Sequence, residues 1–240
     1  MKIISVKFKG SLKNISQFRL LTHNVPEHAF VGRSNVGKSS LINSITKKKI
    51  AKVSSYPGRT QSINYFLINH KWYLVDLPGY GFFSVKKLKE RTQKLIRNFI
   101  LNKKNNIFLF LLIDCRFFLQ KKDLNFIKKL NNLKIHFCIV FTKMDKLKSF
   151  RLFDEKISFF LKEIKKNNIP VPTWFKVSAK KKHGINNLIR YIKKLNDFYF
   201  FHIHKQKLII PNSYDLNPKP KIVPLQTGER KDFFLKDSLE

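Results

Sequence analysis

One stretch constrains the fold of this chain more than any other. Gly32, Arg33, Ser34, Asn35, Val36, Gly37, Lys38 and Ser39 satisfy G-x-x-x-x-G-K-[ST], with the apolar run Ala29–Val31 before them and Ser40, Leu41 and Ile42 after. That pattern requires a strand on one side and a helix on the other, and both are legible. Gly32 and Gly37 let successive backbone N–H groups turn toward one anion, while the helix expected from Lys38 to Ile45 presents the positive end of its dipole. Phosphate is the natural ligand. Lys38 is placed to reach β- and γ-phosphates. The Ser39 hydroxyl is placed to coordinate Mg²⁺, a hard ion that shares its shell among protein, water and phosphate oxygens.

The rest of the chain alternates strand and helix patterns, without an internal repeat. Strand-length apolar runs occur at Ala29–Val31, Ile63–Ile68, Trp72–Val75, Ile107–Ile113, Phe137–Phe141 and Trp174–Val177. Asn69, His70 and Lys71 separate the second from the third, which suits a hairpin and makes that pair antiparallel. Helical spacing of apolar residues is clearest in Leu88–Leu101, Asp123–Leu130, Phe153–Ile164 and Ile185–Leu195. The expectation is an α/β fold: a six-stranded, mostly parallel sheet with one antiparallel strand and helices on both faces. Residues 25–197 are expected to form the nucleotide-binding domain, 1–24 an N-terminal extension, and 198–240 a C-terminal extension, partly disordered. Beyond residue 197 the periodicity deteriorates and prolines accumulate.

Later motifs fit the same ligand. Asp76-Leu77-Pro78-Gly79 follows the strand Trp72–Val75, so the Asp76 carboxylate emerges at a strand end where it can hold a Mg²⁺-bound water. Gly79 can offer a close backbone N–H to the γ-phosphate. Between these and the phosphate loop, Gly58, Arg59, Thr60, Gln61 and Ser62 lie in a stretch without strand or helix pattern, and Thr60 is the candidate second Mg²⁺ hydroxyl. Lys38, Thr60 and Gly79 are thereby the candidate catalytic residues. The strand Phe137–Phe141 delivers Thr142, Lys143, Met144 and Asp145 to the ligand end of an open α/β sheet. This is the [N/T]-K-x-D pattern. Asp145 can accept from both the ring N–H and the exocyclic amine of guanine, a donor pair adenine lacks. The stem of Lys143 lies along the base plane. After the last strand, Ser178, Ala179 and Lys180 suit backbone contact with guanine O6, and Val177 at the end of that strand joins Ser178 and Ala179 among the candidate nucleotide contacts.

Composition adds boundaries. The chain has 240 residues, 43% of them hydrophobic, enough for one α/β domain with a real core. Met1 to Leu20 is interrupted every few residues by Lys, Arg, Asn or Ser and lacks a signal-peptide core. The longest apolar run, Ile107 to Ile113, is far below the ~20 residues of a membrane span. The expectation is a cytoplasmic protein without a membrane partner. Cys115 and Cys138, the two cysteines, read as buried thiols. A net charge of +34 favours a polyanionic partner, but the lysines are spread along the chain beside Asn, Ile and Phe, as nucleotide composition alone would produce.

The ordered set GRSNVGKSS, PGRTQSIN, DLPGYG, TKMD and SAK resembles the EngB (YihA/YsxC) family of bacterial GTPases, from about Phe8 to Leu195. The resemblance implies a Ras-like P-loop fold, binding of GTP and GDP, and action in large-ribosomal-subunit assembly. It also implies a subunit precursor and its rRNA as partner, and an association with cell division and septation. It leaves the oligomeric state open, with a monomer favoured. Where Ras-type enzymes carry a water-orienting glutamine after D-x-x-G, this chain has Tyr80, then Gly81 and Phe82. Related GTPases with this departure often use an asparagine in the phosphate loop as a potassium ligand, and Asn35 occupies that position. A kinase using the same loop is the rival reading, against which TKMD and Thr60 argue. A GTP-dependent RNA-binding or assembly factor with another ribonucleoprotein target is the other.

Overall fold

The computed structural model describes residues 1–13, 25–52, 62–80, 85–103, 107–147 and 149–208. Among the described residues, seven strands form one sheet in the order β1-β3-β4-β2-β5-β6-β7. They are β1 (Val6–Leu12), β2 (Glu27–Gly32), β3 (Ile63–Ile68), β4 (Trp72–Asp76), β5 (Ile107–Asp114), β6 (Phe137–Thr142) and β7 (Trp174–Lys176). Among the described residues the α-helices are α1 (Lys38–Thr46), α2 (Lys86–Lys103), α3 (Lys121–Asn132), α4 (Phe150–Lys166) and α5 (Ile185–Leu208). β3 pairs antiparallel with both β1 and β4, and the other pairings are parallel, so β3 is the one reversed strand.

The expected hairpin forms because Asn69 and His70 adopt φ of 50° and 57°, the left-handed pair of a tight turn between twisted strands. Six of the seven strands coincide with the expected runs. The seventh, β1, corrects the six-strand count: it lies in the stretch set apart as an N-terminal extension. Asn69 helps to fix it, since its Oδ1 accepts from the N–H groups of Ile4 at 2.8 Å and Ser5 at 3.0 Å. β1 is an edge strand with Lys7 and Lys9 exposed and Leu12 buried, a pattern that blunts edge-to-edge pairing.

Alternate residues of each strand enter different faces. Ala29, Val31, Val75, Leu109 and Leu111 belong to one core cluster with Phe99 of α2, Ile127 of α3 and Phe160 of α4. His28 and Phe110 point the other way, where Tyr191 of α5 packs on Phe110 and Asn196 of α5 meets His28. The parallel strands end together, so Gly32, Asp76, Asp114 and Thr142 line one edge of the sheet. Chain contacts divide the protein into units Met1–Asn196 and Asp197–Glu240, and α5 runs past Asn196 to Leu208. Among the described residues no helix is long and apolar enough to cross a membrane.

Candidate functional site

The phosphate loop leaves β2 at Gly32 and enters α1 at Lys38. Gly37 has φ +98°, a conformation a side chain resists, and it hands the chain into a helix that no side chain caps. The N–H groups opening α1 are therefore directed at whatever anion fills the loop. The loop's other half runs beside the Asp76-Leu77-Pro78-Gly79 segment. Leu77 N–H donates to the Phe30 carbonyl at 3.1 Å, Tyr80 N–H to Gly32 at 3.1 Å, and Ser34 N–H to Tyr80 at 3.3 Å. This contact explains Gly79: a Cβ there would stand 3.0 Å from Ser34 N and 3.1 Å from its Cα, so a side chain would push the two segments apart. Ser34 Oγ is buried with no hydrogen-bond partner among the described residues.

Lys38 and Asp76 are both buried, and Lys38 Nζ is bonded to Asp76 Oδ1. Ser39 and Ser40 follow in the first turn of α1, half-buried. Ser39, Asp76 and added water offer a hydroxyl, a carboxylate and water oxygens, a donor set suited to Mg²⁺ rather than to a soft metal. Among the described residues there is no cluster of three or more His, Cys, Asp or Glu that would build a different metal site. Gly58, Arg59, Thr60 and Gln61 lie outside the described residues. Ser62, the next residue, precedes β3 and donates to Asn64 Oδ1 at 3.3 Å.

The TKMD segment supports the loop from behind. Thr142 Oγ1 donates to the Val36 carbonyl at 2.6 Å and to Ile113 at 3.2 Å. Lys143, at φ +60°, donates from Nζ to the Asn35 carbonyl at 2.5 Å and pairs with Asp114 at 3.0 Å. Met144 N–H reaches the Val177 carbonyl at 3.4 Å, and Asp145 Oδ1 accepts from Ser178 Oγ at 2.5 Å. Ser178 Oγ in turn accepts from Lys181 N–H at 2.9 Å, with Ala179 in the turn between. Val177 and Ser178 are buried. Thus the expected base-reading residues and the 177–179 turn come together, as do the phosphate loop and Asp76.

Sequence reading missed a second layer. Asp114 closes β5 and is gripped by Arg116, with Nη2 at 2.8 Å, as well as by Lys143. Burial pushes its carboxyl up, but these hydrogen bonds outweigh that and hold it below the usual range. Asp123 of α3, buried, lies 3.9 Å from Arg33 and accepts from the Tyr80 hydroxyl at 3.1 Å. Burial raises its pKa against the pull of Arg33 and Tyr80. The Tyr80 ring, 6% exposed, stacks on Phe126 at 4.5 Å, so it serves as a brace between the loop and α3. The available signal was an apolar strand ending in Asp, followed by a carboxylate on the apolar face of a helix. Cys115 and Cys138 are buried free thiols, as expected, and burial lifts Cys115 to about 12.

Residues 27–143 match the family described as 50S ribosome-binding GTPase. The chain is 44% identical over 198 residues to the probable GTP-binding protein EngB of Phocaeicola vulgatus, covering 82% of this chain and 98% of that one. It is 45% identical over 199 residues to the probable GTP-binding protein EngB of Christiangramia forsetii, covering 82% and 99%. A crystal structure of a probable GTP-binding protein EngB superposes with a TM-score of 0.59 at 28% identity, over 71% of this chain and 98% of that chain. Era, in complex with MgGDPNP and nucleotides 1506–1542 of 16S ribosomal RNA, shares the fold with a TM-score of 0.58 at 20% identity, over 84% of this chain and 62% of its own.

Proposed function

The chain belongs to the EngB family of GTP-binding proteins and is a P-loop GTPase, and from that premise we propose that its Mg²⁺-dependent nucleotide state controls association with large-ribosomal-subunit precursors. The observation that carries the proposal is the buried ion pair between Lys38 and Asp76. Each partner has a second task once nucleotide binds. With nucleotide bound, Lys38 would reach the β- and γ-phosphates, and Ser39, Thr60 and, through a water, Asp76 would be the residues that hold Mg²⁺. Bound Mg²⁺ would neutralise charge on the phosphate oxygens. A buried carboxylate left without a partner is costly, so GTP and metal together should stabilise an arrangement that neither the empty site nor GDP holds equally well. Leu77, Pro78 and Gly79 follow Asp76 directly, and the bonds of Leu77 to Phe30 and of Tyr80 to Gly32 and Ser34 would carry that change along the phosphate loop. Gly79 N–H would meet the γ-phosphate, and its loss on hydrolysis would release the segment.

The remaining contacts are assigned on the same basis. The loop from Gly32 to Ser40 would cradle the phosphates, with Arg33 and Ser34 at its outer side, and Gly58 to Ser62 would contribute further nucleotide contacts. Thr142, Lys143, Met144 and Asp145 would hold guanine, backed by Val177, Ser178 and Ala179. Because the Tyr80 hydroxyl is taken by Asp123, another group must assist the attacking water. Asn35 as a potassium ligand fits this need, since a monovalent cation beside the phosphates would offset developing charge. Hydrolysis is expected to be faster in potassium than in sodium at equal ionic strength, and Asn35→Ala should narrow the gap. Equal rates in the two salts, with and without ribosomal particles, would remove potassium from the account.

Co-sedimentation tests the proposal as a whole. The chain with a non-hydrolysable GTP analogue should travel with large-subunit precursors, and with GDP it should remain behind. Equal association in both states would refute the switch. The same reading places the protein in the cytoplasm, favours a monomer, and links it to cell division and septation. Depletion that left both septum formation and subunit maturation undisturbed would contradict that link.

A further inference from the structure

The loop between β5 and α3 carries apolar surface that the fold does not use. Phe117 and Phe118 are 49% and 58% exposed, and Phe159 of α4, 44% exposed, meets Phe118 edge-on at 5.5 Å. Cations sit against the same rings. The Arg116 guanidinium lies 5.2 Å from the Phe117 centroid and Lys156 Nζ 5.0 Å from that of Phe118. Lys156 also bonds the Arg116 carbonyl, which fixes the loop to α4. Exposed Lys121 opens α3 directly after the loop, and the helix has no side-chain cap. The nearby carboxylates are already engaged: Asp114 with Arg116 and Lys143, Asp123 with Arg33 and Tyr80, and Glu155 with Arg151 at 3.0 Å.

Three neighbouring aromatic side chains left in water are an unfavourable arrangement unless something covers them. An acidic apolar peptide or a nucleic acid would both answer the charge. Exposed planar rings, two of them with a cation over one face, favour the nucleic acid, because an unpaired base can stack on an aromatic face whatever its sequence while its phosphate meets Lys or Arg. Double-stranded RNA offers no free base faces and would leave the rings unused. We propose that Phe117, Phe118 and Phe159, with Arg116, Lys156 and Lys121, form a stacking site for unpaired bases of a single-stranded RNA segment. This rests on the ribosomal reading above and names the part of the particle that is touched. The site is joined to the nucleotide cleft: Asp114, which holds Arg116, also holds the Lys143 of the base-reading motif, and Phe117 and Phe118 line a cleft shared with Arg33, Ser34 and Asn35.

The test is fluorescence anisotropy of a labelled oligouridine 12-mer with the full chain, beside a fully paired RNA hairpin. The wild type should bind the single strand in preference to the hairpin. The double variant Phe117→Ser with Phe118→Ser should bind it about 10- to 100-fold more weakly, with an unchanged salt slope and an unchanged far-UV circular dichroism spectrum, which reports folding. Lys156→Gln should instead reduce the slope of log affinity against log salt by about 0.7. Phe8→Ser, at a residue 56% exposed on β1, is the control and should have no effect. Unaltered oligouridine binding by the double variant, or an equal loss in Phe8→Ser, would overturn the proposal. So would loss of co-sedimentation with ribosomal particles while oligouridine binding persisted, because the patch would then be taking a protein. If instead the double variant loses oligouridine while wild-type co-sedimentation ignores nucleotide state, the stacking site stands and the switch reading fails.

Discussion

The side of the cleft proposed to read the base and the side proposed to hold the phosphates are held together differently. Around the base, consecutive motifs brace one another: Thr142 on Val36, Lys143 on Asn35 and Asp114, and Asp145 on Ser178. None of those bonds needs to break for guanine to enter, since Oδ1 of Asp145 has a lone pair beyond the one Ser178 uses, Oδ2 is outside that bond, and Lys143 offers its stem. On the phosphate side, Lys38 and Asp76 are bonded to each other, and on the function proposed above that bond is exchanged for ligand and metal. One side is pre-organised and contributes affinity and selectivity. The other stores an alternative arrangement and can therefore report which nucleotide is present.

The largest effect should come from the side that switches. Lys38→Ala removes the charge-assisted bonds to two phosphates and is expected to weaken GTP binding on the order of 1,000-fold, measured by titration with a fluorescent GTP analogue. A loss below about tenfold would mean that the Lys38–Asp76 pair is structural and the comparison is wrong.

Next comes the platform beneath both sides. His28 on β2 is buried, its ring nitrogen 2.7 Å from Asn196 Oδ1, and burial lowers its pKa from 6.5 to about 4 despite that bond. Between these values the unfolded chain binds a proton that the folded chain refuses. Stability should therefore be fully present above pH 6.5 and fall as the pH drops toward 4, by up to about 3 kcal/mol. His28→Leu should flatten the pH dependence of urea unfolding over that window. An unchanged profile would place the acid sensitivity elsewhere.

Smaller effects are expected where the site is braced. Asp145→Asn should reduce the preference for GTP over ATP about 50-fold, because the paired acceptor for guanine is lost. Ser178→Ala removes one bond to the same carboxylate and should cost about 5-fold in GTP affinity. If Ser178→Ala were as damaging as Asp145→Asn, the brace would be carrying the recognition, and the base side would be less pre-organised than its geometry implies.

Most of this was legible in the sequence because motif residues sit at strand ends, where a buried apolar run stops at a functional group. β2, β4 and β6 are buried along nearly their whole length, and their apolar runs located Gly32, Asp76 and Thr142. β1 escaped because it is a half-exposed edge strand, held by its backbone pairing with β3 rather than by its own apolar content. The same limit hid Asp123 and the role of Tyr80. Spacing along a helix shows that Asp123 faces inward, but not that Tyr80 and Arg33 converge on it from another part of the chain. Contacts between segments with separate local patterns are set by how the elements pack, which periodicity does not encode. Thr60 and its neighbours, fully legible as a motif, lie outside the described residues.

Amide hydrogen exchange in Mg²⁺ buffer, comparing the protein with GDP and with a non-hydrolysable GTP analogue, tests the difference between the two sides most directly. The exchange rates of Asp76, Leu77, Gly79 and Tyr80 should fall when GDP is replaced by the analogue, while those of Thr142 to Asp145 stay the same. Equal changes on both sides, or none at Asp76 to Tyr80, would contradict it.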